Sequence, residues 1–240
     1  MGVAVIRLYV NSPLKKNTPV SVAEKDQHYL LHVMRQKEGD EIFCFNGIDG
    51  EWRTQLNFQN KKKVMLIPIQ QTQPQTKLPF LALCPALIKK DNFDFVLQKA
   101  TELGVTDIYP LITDYTVHPH FNQQHAELVI KEAAEQSERL TLPLIHKPLS
   151  LRQLRKALPE NCCCCYLEER TNQNNILPSN QNIAFIVGPE GGWSPSEKEF
   201  LSSQKGFYGL HFETGILRAE TASIAILSCW QLTPSLNWKK

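Results

Sequence analysis

No run of eighteen apolar residues occurs in the 240-residue chain, and its longest apolar stretches are strand-length and interrupted by charge. A bilayer-spanning helix needs about 20 such residues, so no membrane segment is expected. The N-terminus lacks a basic region, an apolar core and a small-residue cleavage site in that order, so no secretory signal is read and the expected location is cytoplasmic. Charge of one sign is also scarce. With 26 Lys and Arg against 24 Asp and Glu, the net charge is +2. A nucleic-acid partner would then depend on local clustering rather than on the total. Lys61–Lys63 and Lys89–Lys90 are such runs, and each equally suits a solvated turn or strand end. The Gly-Lys-Ser/Thr ending of a P-loop and the GxGxxG dinucleotide fingerprint are both absent.

Seven cysteines are present, four of them consecutive at Cys162–Cys165. Cys162 and Cys165 make a formal CxxC, but no second ligand pair accompanies it. Adjacent strand residues point to opposite faces, so four in a row cannot converge on one ion. They read as a strand buried on both faces, with Cys used as a small hydrophobe. His118 and His120 lack a further ligand, and no metal is expected. The odd count argues against a set of disulfides.

The fold class read from the pattern is α/β with a small N-terminal β-barrel. Val3–Val10, Glu41–Phe45, Glu51–Phe58 and Val64–Ile67 are expected strands, with turn residues at Asn46-Gly47, Asp49-Gly50 and Asn60. Ser21 and Glu24 fit a capping box opening a helix that Gly39 stops, with Leu30, Leu31, Val33 and Met34 as its apolar contacts. Residues 68–78 are polar and rich in Gln and Pro, a linker pattern that divides the chain into domains at 1–70 and 71–240. Beyond it strands and helices alternate, the mark of a mostly parallel sheet. Expected strands are Phe80–Cys84, Val105–Leu111, Cys162–Leu167, Ile183–Val187 and Gly209–Phe212. One helix is capped by Asn92 and stops at Gly104. A second covers His125–Arg139, placing Glu132, Gln136 and Arg139 on a shared face. The last runs from about Arg218 to Trp230, with Ala222, Ala225, Ile226 and Cys229 inward.

Two segments carry the chemistry. In IAFIVGPEGGWSPSEKEF, 183–200, an apolar strand ends in Gly188-Pro189-Glu190-Gly191-Gly192. A helix follows at once, with Ser194 as N-cap, Pro195 at the first position and Glu197 completing a capping box. A glycine loop between strand and helix is where α/β sheets bind ligands, although a structural turn has the same composition. In LHFETGILRAETA, 210–222, Arg218 stands at a helix N-terminus, where a cation opposes the helix dipole. It is either held for an anion or reacting oxygen, or paired to Glu220 or Glu190 on the surface.

The GPEGG loop opening a capped helix, followed by ILRAETA, resembles the RsmE family of SPOUT-superfamily methyltransferases. Further blocks agree in order: Lys99–Val105 with Pro110, and Glu132–Arg139 with Pro143. The first domain resembles the family's PUA-like RNA-binding barrel through Arg7–Val10, His32–Arg35 and Gly39-Asp40. The chain departs from the family at Glu213 (usually Gly), Gly215 (usually Arg) and Glu138 (usually small).

This resemblance implies methylation of N3 of a uridine in the decoding region of 16S ribosomal RNA, with S-adenosyl-L-methionine as cofactor. It also implies a homodimer and a deep trefoil knot over about 160–240. The cofactor would sit among three loops, with Leu167, Val187, Gly188, Pro189, Gly191, Gly192, Leu210, Phe212, Ile216 and Leu217 as binding residues. Adenine would rest on backbone of Leu210, Phe212 and Leu217, and Gly188 and Gly192 would leave room for the ligand. Arg218 would face the transfer site, with Glu190 or Glu220 orienting it or the base. Arg7, Arg35, Lys89, Lys99, Gln136 and Arg139 are the candidates for RNA. A ribose 2′-hydroxyl methyltransferase of the same superfamily, a silent RNA-binding assembly protein and, most weakly, a nucleotide oxidoreductase are the rival readings.

Overall fold

A computed structural model describes residues 6–60, 63–117, 119–168, 182–213 and 215–232. The expected strand start at Val3–Val5, Lys61 and Lys62, and the stretches 169–181 and 233–240 of the expected knot lie outside them, as do His118 and Thr214. The chain forms two units, one of residues 1–77 with 134–142 and one of 78–133 with 143–240.

The first unit is a five-stranded sheet. It contains β1 (Arg7–Tyr9), β2 (Val20–Ser21), β3 (Glu41–Phe45), β4 (Glu51–Asn60) and β5 (Lys63–Gln73), ordered β1-β3-β4-β5-β2. β3, β4 and β5 form an antiparallel meander, and β1 joins β3 in parallel. Alternating inward residues such as Ile42, Cys44, Leu56, Val64 and Leu66 build its core. β5 runs to Gln73, through the first half of the segment read as a linker. Its polar residues are exposed there, so composition mimicked a linker where the ladder continues.

The first helix differs from expectation. α1 spans Glu24–His28 with Ala23 as N-cap, and passes directly into a π-helical turn over Tyr29–Val33. Ser21 is not its cap because it pairs with Met65 in β2. Leu30 is fully buried, whereas Val33 is exposed. The helix has ended by Arg35, whose φ is +53°, before Gly39 is reached. His28 and His32, four residues apart, have ring centroids 4.7 Å apart.

Arg7, expected on RNA, is instead buried in this unit. Its Nε donates to Glu51 Oε2 at 2.8 Å, and its guanidinium also donates to the carbonyls of Ala134 (3.3 Å) and Arg139 (3.1 Å). Glu51 Oε1 accepts from Thr72 Oγ1 at 2.7 Å, and Tyr9 N–H donates to Glu135 Oε1 at 2.9 Å. A buried guanidinium committed to internal acceptors is poorly placed to meet a phosphate.

The second unit is built on six parallel strands ordered β13-β11-β12-β6-β7-β9. In chain order its elements are β6 (Leu81–Pro85), α2 (Lys90–Glu102), β7 (Asp107–Ile108), β8 (Leu111–Ile112), α3 (Gln123–Gln136), β9 (Leu144–Ile145), β10 (Leu149–Ser150), α4 (Leu151–Ala157), β11 (Cys163–Leu167), β12 (Ile183–Val187), α5 (Pro195–Ser203), β13 (Phe207–Leu210) and α6 (Ala219–Leu232). β6 and β12 are buried at every residue, as expected of strands covered on both faces. The four cysteines fall on and just before β11 and are all buried.

Several boundaries moved. α2 begins at Lys90 with Lys89, not Asn92, as N-cap. The strand expected over Val105–Leu111 is two short strands flanking Pro110, which has no amide for a ladder. α3 ends at Gln136, and Glu138 takes φ +58°, so Arg139 leaves the helix and does not share the face of Glu132 and Gln136. β13 ends at Leu210, short of Phe212. Cys229, expected inward on α6, is exposed. β9, β10 and α4 were not expected, although Ser150 and Gln153 form a capping box that the sequence displays.

Removing one partner of a buried ion pair strands the other charge, at a cost of about 3–5 kcal/mol. Glu51→Ala should therefore lower unfolding free energy by that amount in a urea titration. The apolar double variant Arg7→Met/Glu51→Leu should recover most of the loss.

Candidate active site

β13, β11 and β12 lie side by side. Leu167 pairs with Leu210, and Tyr166 with both Gly209 and Ile186. Their carboxyl ends therefore emerge together. The segments leaving them wall a cavity of about 270 Å³, lined by Leu167 and Glu168, by Val187–Trp193, and by Phe212 with Gly215–Ala219. Lys198 and Ala222 complete the lining. Ligand crevices in open α/β sheets sit at such an edge.

Local chemistry holds each wall. Ser194 Oγ accepts from Glu197 N–H at 3.3 Å while Glu197 Oε2 accepts from Ser194 N–H at 3.0 Å, so the expected capping box forms with Pro195 at the first helical position. The buried Glu197 does more, because its Oε1 accepts from Asp114 N–H at 3.0 Å. Ser194 and Ser196 hydroxyls donate to Asp114 Oδ2, which ties the turn after β8 to the glycine loop. Tyr115 is carried on that turn and packs on Gly191, where a Cβ would come 3.1 Å from Tyr115 Cβ. Sequence reading missed Asp114 and Tyr115, because 80 residues separate Asp114 from Ser194.

The glycines also serve the loop's own packing. A Cβ on Gly188 would meet the Trp193 ring at 3.1 Å, so the space is filled by a side chain of the protein. Trp193 is buried, and its indole N–H donates to Leu167 O at 2.8 Å, closing the wall between two of the segments. Gly192 takes φ +70°, a left-handed turn that any Cβ would strain.

Of the residues expected to bind cofactor, Leu167, Val187, Gly188, Pro189, Gly191, Gly192, Phe212, Ile216 and Leu217 line the cavity. Leu210 does not; it is buried, and its carbonyl accepts from Glu168 N–H at 2.8 Å. Trp193, Lys198 and Glu168 line it unforeseen. Arg218 and Glu190 are exposed on the lining. The surface pairing of Arg218 with Glu190 or Glu220 does not occur among the described residues. Glu220 lies off the lining, with Oε2 buried and no hydrogen-bond partner among those residues. Glu213 is exposed with Oε1 3.7 Å from His211 Nε2, and Gly215 has open space where a Cβ would stand.

The remaining RNA candidates are scattered. Arg35 is exposed on the first unit and Lys89 on the second. Lys99 pairs with Glu102 at 2.8 Å. Gln136 is exposed, and Arg139 is half-buried, with burial lowering its guanidinium to about 10, so it stays charged at neutral pH.

Mixed polar and apolar walls, four charged side chains and a glycine loop at the edge of a parallel sheet define a small-molecule cavity in an α/β enzyme. The class follows from the family models, which match an RNA methyltransferase domain over residues 75–231 and an RNA methyltransferase PUA domain over 22–69. A ribosomal RNA small subunit methyltransferase E of Rickettsia conorii is 37% identical over 229 residues, covering 92% of this chain and 93% of its own. The Bacillus subtilis protein of that name is 30% identical over 226 residues, covering 87% and 88%. A ribosomal RNA small subunit methyltransferase E from Neisseria gonorrhoeae, solved bound to S-adenosyl methionine, superposes with TM-score 0.85 at 26% identity, covering 95% of this chain and 98% of that one. A Legionella pneumophila methyltransferase solved with the same cofactor gives 0.84 at 26% identity, covering 96% and 98%. The chain belongs to the ribosomal RNA small subunit methyltransferase E family of RNA methyltransferases.

Glu197 accepts from the buried Ser194 N–H and from Asp114 N–H, and leaving a buried amide without its partner costs about 1–3 kcal/mol. Glu197→Ala should lower stability by about 3 kcal/mol in thermal or urea unfolding. Hydrogen exchange should quicken at the amides of Asp114 and Ser194, with Glu197→Gln intermediate.

Proposed function

We propose that this protein methylates N3 of a specific uridine in the decoding region of 16S ribosomal RNA, taking the methyl group from S-adenosyl-L-methionine. The reading rests on family membership and on one observation: Arg218 stands unpaired among the described residues, on the lining of a cavity suited to the cofactor. The cavity's chemistry fits such a ligand. Val187, Trp193, Ile216, Leu217 and Ala222 supply apolar surface for an adenine. Glu168 and Glu190 supply negative charge for an amino group and sulfonium, and Lys198 supplies positive charge for a carboxylate. When bound, the cofactor supplies an electrophilic methyl group.

The rest of the chemistry falls to the chain and the base. Uracil N3 carries an imide proton that must pass to solvent water before or as the nitrogen attacks. The negative charge then spreads to the two flanking carbonyl oxygens. A guanidinium beside them stabilises charge where it develops, and Arg218 takes that role. Orientation of Arg218 by Glu190 or Glu220 would have to arise with substrate present, since neither pairs with it here. N3 lies on the Watson–Crick edge, so the target base must be unpaired or flipped out. Holding it in line with the methyl group supplies most of the remaining rate.

The first domain, with Arg35, would grip RNA while Lys89, Lys99, Gln136 and Arg139 add contacts from elsewhere. Arg7 is withdrawn from that set by its burial. The homodimer, the trefoil knot, the domain assignment of 1–70 and 71–240 and the cytoplasmic location belong to this same reading. No helix among the described residues is long and apolar enough to cross a membrane.

The test is methyl transfer to small subunits from a strain lacking the modification, with the product nucleoside mapped by mass spectrometry. Methyl on a ribose hydroxyl, or none, would remove the assignment. Arg218→Ala should reduce kcat by about 100–1000-fold, the loss typical of one charge-stabilising donor. Cofactor affinity by calorimetry should stay within a few-fold; near wild-type kcat in a folded variant would exclude Arg218.

A further inference from the structure

A second cavity, of about 390 Å³, opens in the methyltransferase unit beside the start of α2 and just ahead of α3. The functional reading above uses Lys89 from its rim but leaves the cavity itself unexplained. Its floor is apolar, formed by Leu87, Phe93 and Leu97 with Phe121 as a wall. Phe93 and Phe121 meet edge to face, with centroids 6.2 Å apart and ring planes at 86°. The rim is charged. Asp94 Oδ2 accepts from Lys90 Nζ at 2.7 Å and lies 2.7 Å from His125 Nε2. Lys89 is exposed on the lining and has no ion-pair partner among the described residues.

Its place in the sheet is informative. The chain enters this cavity directly from β6, and β6 pairs with β12, whose own end is the glycine loop. Pro85 is opposite Val187, and Ala86 N–H donates to Val187 O at 2.8 Å. Both cavities therefore open from neighbouring strands at the same carboxyl edge. Adjacent strands are about 4.8 Å apart, so the two strand ends that feed these cavities are immediate neighbours.

We propose that this cavity receives an unstacked nucleobase next to the methylated one in the RNA substrate. The inference rests on the functional reading above and adds a subsite to it. An aromatic wall accepts the π-face of any base, which makes such a subsite tolerant of sequence. The Asp94–His125 pair places one acceptor and one ring nitrogen at the rim, where a base edge or ribose hydroxyl can bond. Lys89 meets the connecting phosphate. With Lys90 neutralised by Asp94, the rim keeps the surplus positive charge that a phosphodiester needs. Occupying both cavities would hold the RNA backbone splayed on each side of the target, which keeps that base out of its stack.

The test measures binding of the full-length protein to small subunits lacking the modification. Phe121→Ala should weaken subunit affinity about 10-fold, the loss expected for one stacked base. Lys89→Ala should weaken it less and reduce the slope of log affinity against log salt by about one. Cofactor affinity and the thermal midpoint of each variant report whether it is folded, and Phe121→Leu replaces the alanine variant should that one unfold. Wild-type subunit affinity in the folded Phe121 and Lys89 variants overturns the proposal. So does a Phe121 variant that loses self-association in sedimentation yet binds subunits as tightly as wild type, because the cleft then belongs to a second copy of this chain. The atom methylated by the wild-type protein is mapped separately, so a wrong base position sinks the functional reading without touching this one.

Discussion

Three strands drawn from separate stretches of the chain, β11, β12 and β13, run the same way and share a register, so the loops that follow them meet. Parallel strands cannot be joined by tight turns, and each must be covered on both faces. That constraint explains why β11 and β12 are apolar at nearly every position, and why the polar chemistry is pushed to their ends. Once the strands are locked in the ladder, the site is a matter of which residues follow each strand.

The walls are then stiffened by contacts whose partners are polar and buried. Trp193 joins the glycine loop to Leu167 through its indole N–H, and Glu197 joins the same loop to Asp114. Both fasten a loop that must approach a ligand closely, and both use a group whose loss would leave an amide or carbonyl unsatisfied. Two of the loop glycines, 188 and 191, accommodate Trp193 and Tyr115, so the loop's smallness serves the protein's own packing. In the other unit Glu51 and Arg7 do comparable work, gathering Thr72 and the carbonyls of residues 134 and 139 around one ion pair.

The division of labour at the cavity follows from this rigidity. Apolar and backbone surfaces line the cavity together with Glu168, Glu190 and Lys198, and Arg218 is left without an internal partner among the described residues. A guanidinium at a helix N-terminus is unfavourable against the dipole, which makes its unpaired state informative. Arg7 and Arg218 are both arginines in family motifs, and their surroundings give them opposite roles: one is spent on internal partners and the other is available.

The alternation of strands and helices, the capped helix after Gly192, the buried cysteine strand and the family were all legible in the amino acids alone. These are local or cumulative signals: apolar runs, capping residues three apart, and motifs in a fixed order. Sequence reading misjudged α1, the end of α3, the linker and the depth of Arg7, because each turns on a neighbour far away in the chain. Ser21 is held by Met65, Arg7 by Glu51 and β5 by β4. It took the folded chain to reveal that Asp114, Tyr115 and Trp193 support the glycine loop, that Leu210 is withdrawn from the cavity, and that Arg218 is unpaired among the described residues. Side-chain partnership depends on distance in space, and strand pairing across scores of residues sets that distance where no short sequence window can.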